Sequence, residues 1–111
     1  MAVYVPRKGD FVTLSLGERP GHEQRGRRPA LVVSNDLFNR HTGLAIVCPV
    51  TRTERDYPFH VAIPAGERVQ GFVMVEQLRS VDYRGRAVRR LGRAPDAVLD
   101  EALSLLDACL Y

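Results

Sequence analysis

The chain lacks the sequence marks of a membrane span, a metal centre and a nucleotide cradle. No run of about eighteen apolar residues occurs, which excludes a membrane-spanning helix. The N-terminus, MAVYVPRKGD, has no apolar signal core, so a cytoplasmic location is expected. His22, His41 and His60 are widely separated, and neither HxxxH nor CxxC spacing appears. No metal or other cofactor is therefore expected. A GxSxG nucleophile turn is missing, as are the Walker and GxGxxG phosphate loops. The two cysteines, Cys48 and Cys109, each lie within apolar patterns far apart in sequence and are expected as buried thiols. There is no internal repeat and no low-complexity segment.

Lysine is nearly absent as well. Fifteen of the sixteen basic residues are arginine, with Lys8 the exception. The planar donor fork of arginine suits phosphate and stacks on bases. Codon bias in a GC-rich genome would produce the same excess, so the local cluster Arg25, Arg27 and Arg28 says more than the total.

What is present points to a small β-rich domain. A chain of 111 residues supports one domain, expected over 1–111, that buries roughly two-thirds of its unfolded surface. Hydrophobic residues make up 45%, enough to form a core. Asp10 to Leu16 alternates apolar and polar residues as a half-buried strand does. The polar, glycine-containing loop from Gly17 to Arg28 leads into a short strand, Ala30 to Val33. Ser34-Asn35-Asp36 offers an N-cap for a brief helical turn through Arg40. Leu44 to Val50 is continuously apolar, as expected of a strand buried on both faces, with Pro49 indicating an edge or bulge.

Shorter strands are expected at Phe59–Ile63, with His60 on the polar face, at Phe72–Glu76, at Leu78–Asp82 and at Ala87–Leu91. After Pro95-Asp96, the spacing of Val98, Leu99, Ala102, Leu103, Leu106, Cys109 and Leu110 predicts one apolar helical face. Short strands followed by a terminal helix give a mainly β (α+β) fold, a small barrel or strongly bent sheet with a helix packed on it.

The chemistry is concentrated around two junctions. Arg28 stands where a loop becomes a strand, and Thr51 where a strand becomes a loop. Glu23, Gln24, Arg25, Arg27 and Arg28 share one loop; Thr51, Arg52 and Thr53 begin another. Arginine beside a hydroxyl and a carboxylate can cleave a phosphodiester without a metal. The 2′-hydroxyl of RNA must lose a proton, the phosphorane must be stabilised, and the leaving 5′-oxygen must be protonated. Charged surface loops have the same composition in many proteins, so composition alone leaves solvated loops as the simpler reading.

The segment EQRGRRPALVVS resembles the E-Q-x-G-x-R-P segment of the MazF/PemK family of toxin endoribonucleases. TGLAIVCPVT is similar to the family's V-x-P-x-T strand, and YVPRKGDFV, YPFHVAI and GFVMVEQLRSVDYR fall in the family's order. The resemblance implies an SH3-like, strongly curved β-barrel with a C-terminal helix, CcdB/MazF-like, assembled as a homodimer. It also implies sequence-selective, metal- and ribosome-independent cleavage of single-stranded mRNA, leaving a 2′,3′-cyclic phosphate. The catalytic arginine then falls on Arg28, the hydroxyl on Thr51, the loop acid on Glu23, and a basic residue for RNA contact on Arg86. Gln24, Arg25, Arg27, Arg52 and Gln77 join the substrate-binding set, Gln77 through the similarity of Glu76-Gln77 to an acidic-Gln pair.

Arg27 stands where related sequences often carry histidine or another polar residue, and Arg52 where a second hydroxyl is sometimes found, so the cleavage motif is not transferable. Free arginine stays protonated, which makes Arg28 a poor resting base. Glu23 is the first candidate for that role and His22 the second. The implied partner is a MazE-like antitoxin whose acidic, disordered tail covers the basic groove. Two other classes compete: a CcdB-like gyrase inhibitor, disfavoured because such inhibitors act through a tryptophan-containing tail that this chain lacks, and a non-catalytic RNA-binding small barrel.

Overall fold

A computed structural model describes residues 3–15 and 27–111. The strands are β1 (Asp10–Ser15), β2 (Arg27–Val32), β3 (Leu44–Thr51), β4 (His60–Ala62), β5 (Phe72–Met74), β6 (Arg79–Asp82) and β7 (Arg89–Arg93). Helix α1 (Asp36–Thr42) lies between β2 and β3, and α2 (Asp96–Leu110) closes the chain. All described pairings are antiparallel, in the order β4-β5-β3-β2-β1-β7, with β6 also paired to β3. Among the described strands no pairing joins β4 to β7, so the expected curved sheet is open rather than closed into a barrel.

Alternation along the central strands builds two apolar layers. Leu31, Val33, Cys48 and Val50 face one side, where Val98, Leu99 and Ala102 of α2 complete the core. Val12, Ala30, Val32, Ala45 and Val47 face the other, where Tyr4, Val5, Val81, Tyr83 and Val88 cover them. This is why β3 reads as a continuous apolar run: it is buried on both faces. The two end strands of the sheet are protected differently. β4 is only three residues long, and β7 carries exposed Arg89, Arg90 and Arg93.

Local signals explain the connections. Asn35 caps α1 by accepting from the Phe38 N–H at 2.8 Å, and Gly43 ends it at a φ of 74°. Buried Asn39 then joins three segments: its side-chain amide donates to the Pro6 carbonyl at 2.7 Å, and its own carbonyl accepts from the Tyr83 hydroxyl at 2.9 Å. The Asp10 carboxylate is also buried and accepts from the Tyr4 hydroxyl, the Arg7 N–H and the Arg90 guanidinium. Burial pushes the Tyr4 phenol well above its usual range, and its bond to Asp10 adds to the rise.

Three expectations need correction. Phe72–Glu76 is not one strand, because β5 ends at Met74 and Val75–Gln77 forms a 3-10 turn. His60 does not face solvent; its side chain is 4% exposed. The apolar face of α2 stops short, leaving Leu110 and Cys109 exposed. Cys48 fits its expected place, and burial pushes its thiol up to about 12. A small thiol reagent should therefore modify one cysteine per native chain, Cys109, and both after unfolding, as counted by mass spectrometry.

Candidate active site

The pairing of β2 with β3 sets Ala30 opposite Pro49, Leu31 opposite Cys48 and Val32 opposite Val47. Arg28 and Thr51 each lie two residues beyond the Ala30–Pro49 pair, at the same end of the ladder. Both line an open cleft of about 960 Å³, together with Pro49, Arg55, Tyr57, His60, Met74, Glu76, Gln77 and Arg79. Arg28 and Thr51 also border a second hollow of about 520 Å³, which Arg27, Arg52, Arg68 and Gln70 help to form. The pair thus forms the ridge between two basic depressions.

Thr51 is oriented by its surroundings. Its Oγ1 accepts from the Thr53 N–H at 3.2 Å, leaving its own hydroxyl hydrogen available to a ligand. Its carbonyl lies against Gly71, where an added Cβ would sit 2.2 Å from the Thr51 oxygen. Gly71 also has a φ of 118°, which side-chain-bearing residues rarely adopt. A glycine at this point therefore fixes the end of β3.

The far wall of the cleft arises from an interruption in the sheet. Ile46 directs both its N–H and its carbonyl toward the β2 side, to Ser34 Oγ and from Val33 N–H. By alternation Pro49 faces the opposite edge, where its missing N–H cannot serve a ladder. β6 pairs with β3 up to Val47 and β5 from Val50 onward, and the 3-10 turn bridges the gap. Pro49 thus faces the break between β6 and β5, and the 3-10 turn at that break brings Glu76 and Gln77 to the cleft. Glu76 Oε2 lies 3.1 Å from His60 Nε2, and the ring of Tyr57 meets the imidazole edge-on at 5.1 Å between centroids.

The predicted residues separate into groups. Arg28, Thr51 and Gln77 line one cleft, and Arg52 and Arg27 border the adjoining hollow. Arg27 is tied down, donating to the Thr13 carbonyl at 3.1 Å and to the Ala87 carbonyl at 3.0 Å. Burial, then the charge of Arg89, lowers its guanidinium from the usual arginine range. Arg86 donates to the Ser15 carbonyl at 3.4 Å, at the end of β1. Glu23, Gln24 and Arg25, with His22, lie outside the described residues. Sequence reasoning missed Arg55, Tyr57, His60, Glu76 and Arg79 as cleft residues. The charged run TRTERDYP was the available signal for the first two. Among the described residues no cluster of His, Cys, Asp or Glu could hold a metal ion, and no helix is long and apolar enough to cross a membrane.

Residues 7–110 match the family of PemK-like, MazF-like toxins of type II toxin-antitoxin systems. The chain belongs to that family. It is 34% identical over 105 residues to the endoribonuclease toxin MazF of Escherichia coli K12, covering 95% of this chain and 90% of that one. MazF of Deinococcus radiodurans, as a crystal structure, superposes with a TM-score of 0.86 at 44% identity, covering 97% and 98% of the two chains. The MazE-MazF complex from the same organism contains a chain with a TM-score of 0.86 at 41% identity, over 97% of each chain.

Replacing Gly71 with alanine tests whether backbone packing sets Thr51. The variant should lose about 2 kcal/mol or more of stability, through the clash and the strained φ together. Thermal denaturation measures this, and an unchanged melting temperature would show that the β3 end does not depend on Gly71.

Proposed function

We propose that this protein is the toxin of a toxin–antitoxin pair, an endoribonuclease that cuts single-stranded mRNA without a ribosome or a metal. The observation that carries the reading is that Arg28 and Thr51 both line one open cationic cleft. Family membership and the endoribonucleases among its relatives support the same conclusion.

The chemistry follows from what these groups can donate. The 2′-oxygen of a ribose attacks the adjacent phosphorus, and the bond to the 5′-oxygen breaks, leaving a 2′,3′-cyclic phosphate and a 5′-hydroxyl. Arg28 stabilises the negative phosphorane with two N–H donors and supplies a proton to the leaving oxygen. The Thr51 hydroxyl donates to a non-bridging phosphate oxygen. Glu23 takes the proton from the 2′-hydroxyl, with Gln24 and Arg25 holding the strand. Arg52 extends phosphate contact into the adjoining hollow, and Gln77 meets the nucleotide in the main cleft. Arg27 and Arg86 contribute positive potential while bonded to carbonyls of β1.

The partner is a MazE-like antitoxin with an acidic, disordered tail. Arg28, Arg55 and Arg79 line the cleft, and such a tail would compete with RNA for their charge. The toxin acts as a cytoplasmic homodimer.

Digesting a long RNA and mapping the new 5′ ends tests the activity. Cuts clustered at one short sequence are expected, unaffected by EDTA. Arg28→Ala should lower the rate by at least a hundredfold, in the range found on removing one transition-state donor, and Thr51→Ala by a smaller factor. Wild-type cleavage by the Arg28→Ala protein would overturn the site, and loss of activity in EDTA would overturn the metal-free mechanism.

A further inference from the structure

His60 and Glu76 form a pair that the cleavage chemistry above does not use. His60 opens β4 opposite Met74, and Glu76 stands in the 3-10 turn that follows β5. The imidazole is nearly enclosed, at 4% exposure, whereas the Glu76 side chain is 26% exposed at the cleft. Nε2 lies 3.1 Å from Glu76 Oε2, and Nδ1 is buried without a hydrogen-bond partner among the described residues. Because a carboxylate can only accept, Nε2 carries the hydrogen in this bond.

An imidazole with one orphaned buried nitrogen is a costly core residue; an apolar ring of similar size would avoid that cost. What an apolar ring could not do is hold the Glu76 carboxylate. With Oε2 engaged, Oε1 remains to accept one hydrogen bond from a ligand. Phosphate offers no such donor, and Arg28, Arg55 and Arg79 already line the cleft to receive the backbone. The edge of a base does offer N–H groups.

The Glu76 side chain lines the same cleft as Arg28 and Thr51, so a base beside a phosphate held by that pair comes to the wall that Glu76 forms. Tyr57, 52% exposed on the same wall, provides a ring on which such a base can stack. The Gln77 amide, next along the turn, can donate to a ring nitrogen adjacent to the base's amino group.

We propose that His60 is a positioning residue for base selection: it holds Glu76 so that the carboxylate accepts from the exocyclic amine of an adenine or cytosine beside the scissile phosphate. Uracil presents a carbonyl at that point, opposing the carboxylate. The inference rests on the endoribonuclease reading of the same cleft.

The test maps cleavage of an RNA pool randomised around the cut, using wild type, His60→Phe, His60→Gln and Glu76→Ala, with folding checked by circular dichroism. Wild type should favour adenine or cytosine over uracil at one position flanking the cut. His60→Phe and Glu76→Ala should each lower that preference about tenfold or more at that same position. His60→Gln, which keeps an N–H near the place of Nε2, should retain it. Unchanged preference in Glu76→Ala, or losses at different positions in the two variants, would overturn the proposal. Should His60→Phe fail to fold, Glu76→Ala alone decides. A wild-type protein that cuts no RNA would overturn the enzymatic reading itself and this inference with it, whereas normal cutting with unaltered selection in Glu76→Ala overturns only the inference.

Discussion

The register between β2 and β3 is the constraint on which the candidate site depends. Its three paired positions, Ala30 with Pro49, Leu31 with Cys48 and Val32 with Val47, are buried or nearly so, and alternate residues enter opposite cores. A slip of one residue would turn Leu31 or Cys48 out of the layer beneath α2 and send its neighbours into it. Such slips are strongly disfavoured when both faces are buried. The hydrophobic pattern therefore determines not only the sheet but also the register from which Arg28 and Thr51, each two residues past its last pair, extend into the cleft. The candidate pair is positioned by burial of the neighbouring residues, and neither member is itself buried.

Pro49 adds the second element of the design. A proline within a central strand ordinarily weakens the sheet, because it removes a ladder donor. Here the loss is confined to the edge where β6 stops and the 3-10 turn intervenes before β5. The turn replaces missing ladder bonds with a local bond from the Leu78 N–H to the Val75 carbonyl, at 3.2 Å. It also places Glu76 and Gln77 where regular pairing would have continued. The end of β3 thus supplies Thr51 to the cleft, and the interruption beside Pro49 supplies the cleft's polar wall.

Much of this was legible in the sequence, for identifiable reasons. Strong periodicity located β1, β3 and the start of α2, and the Asn35 and Gly43 signals bounded α1. The loop-to-strand position of Arg28 and the strand-to-loop position of Thr51 were readable because the apolar pattern begins and ends beside them. Their adjacency was not, since pairing register is a long-range property absent from local spacing. His60 was misread for a related reason. Alternation assigns it to a polar face, but that face of β4 is covered by the turn containing its partner, Glu76. The run FVMVE has the composition of a strand, and only the proline opposite it explains why the strand stops at Met74.

The arginine excess shows how one residue type can serve two ends without conflict. Arg27, Arg68, Arg86 and Arg93 donate to backbone carbonyls, and Arg90 pairs with the buried Asp10 carboxylate. These forks join segments distant in the chain, which a compact ammonium would do less well because it lacks fixed, spaced donors. By contrast, the guanidinium groups of Arg28, Arg55 and Arg79 have no hydrogen-bond or ion-pair partner among the described residues. Three cations sharing one cleft repel one another, and each retains its full set of donors. An incoming polyanion relieves that repulsion and fills those donors together, so the anchoring arginines stabilise the scaffold while the unpaired ones are left for ligand. Charge alone would not distinguish the two groups; the presence or absence of a protein acceptor does.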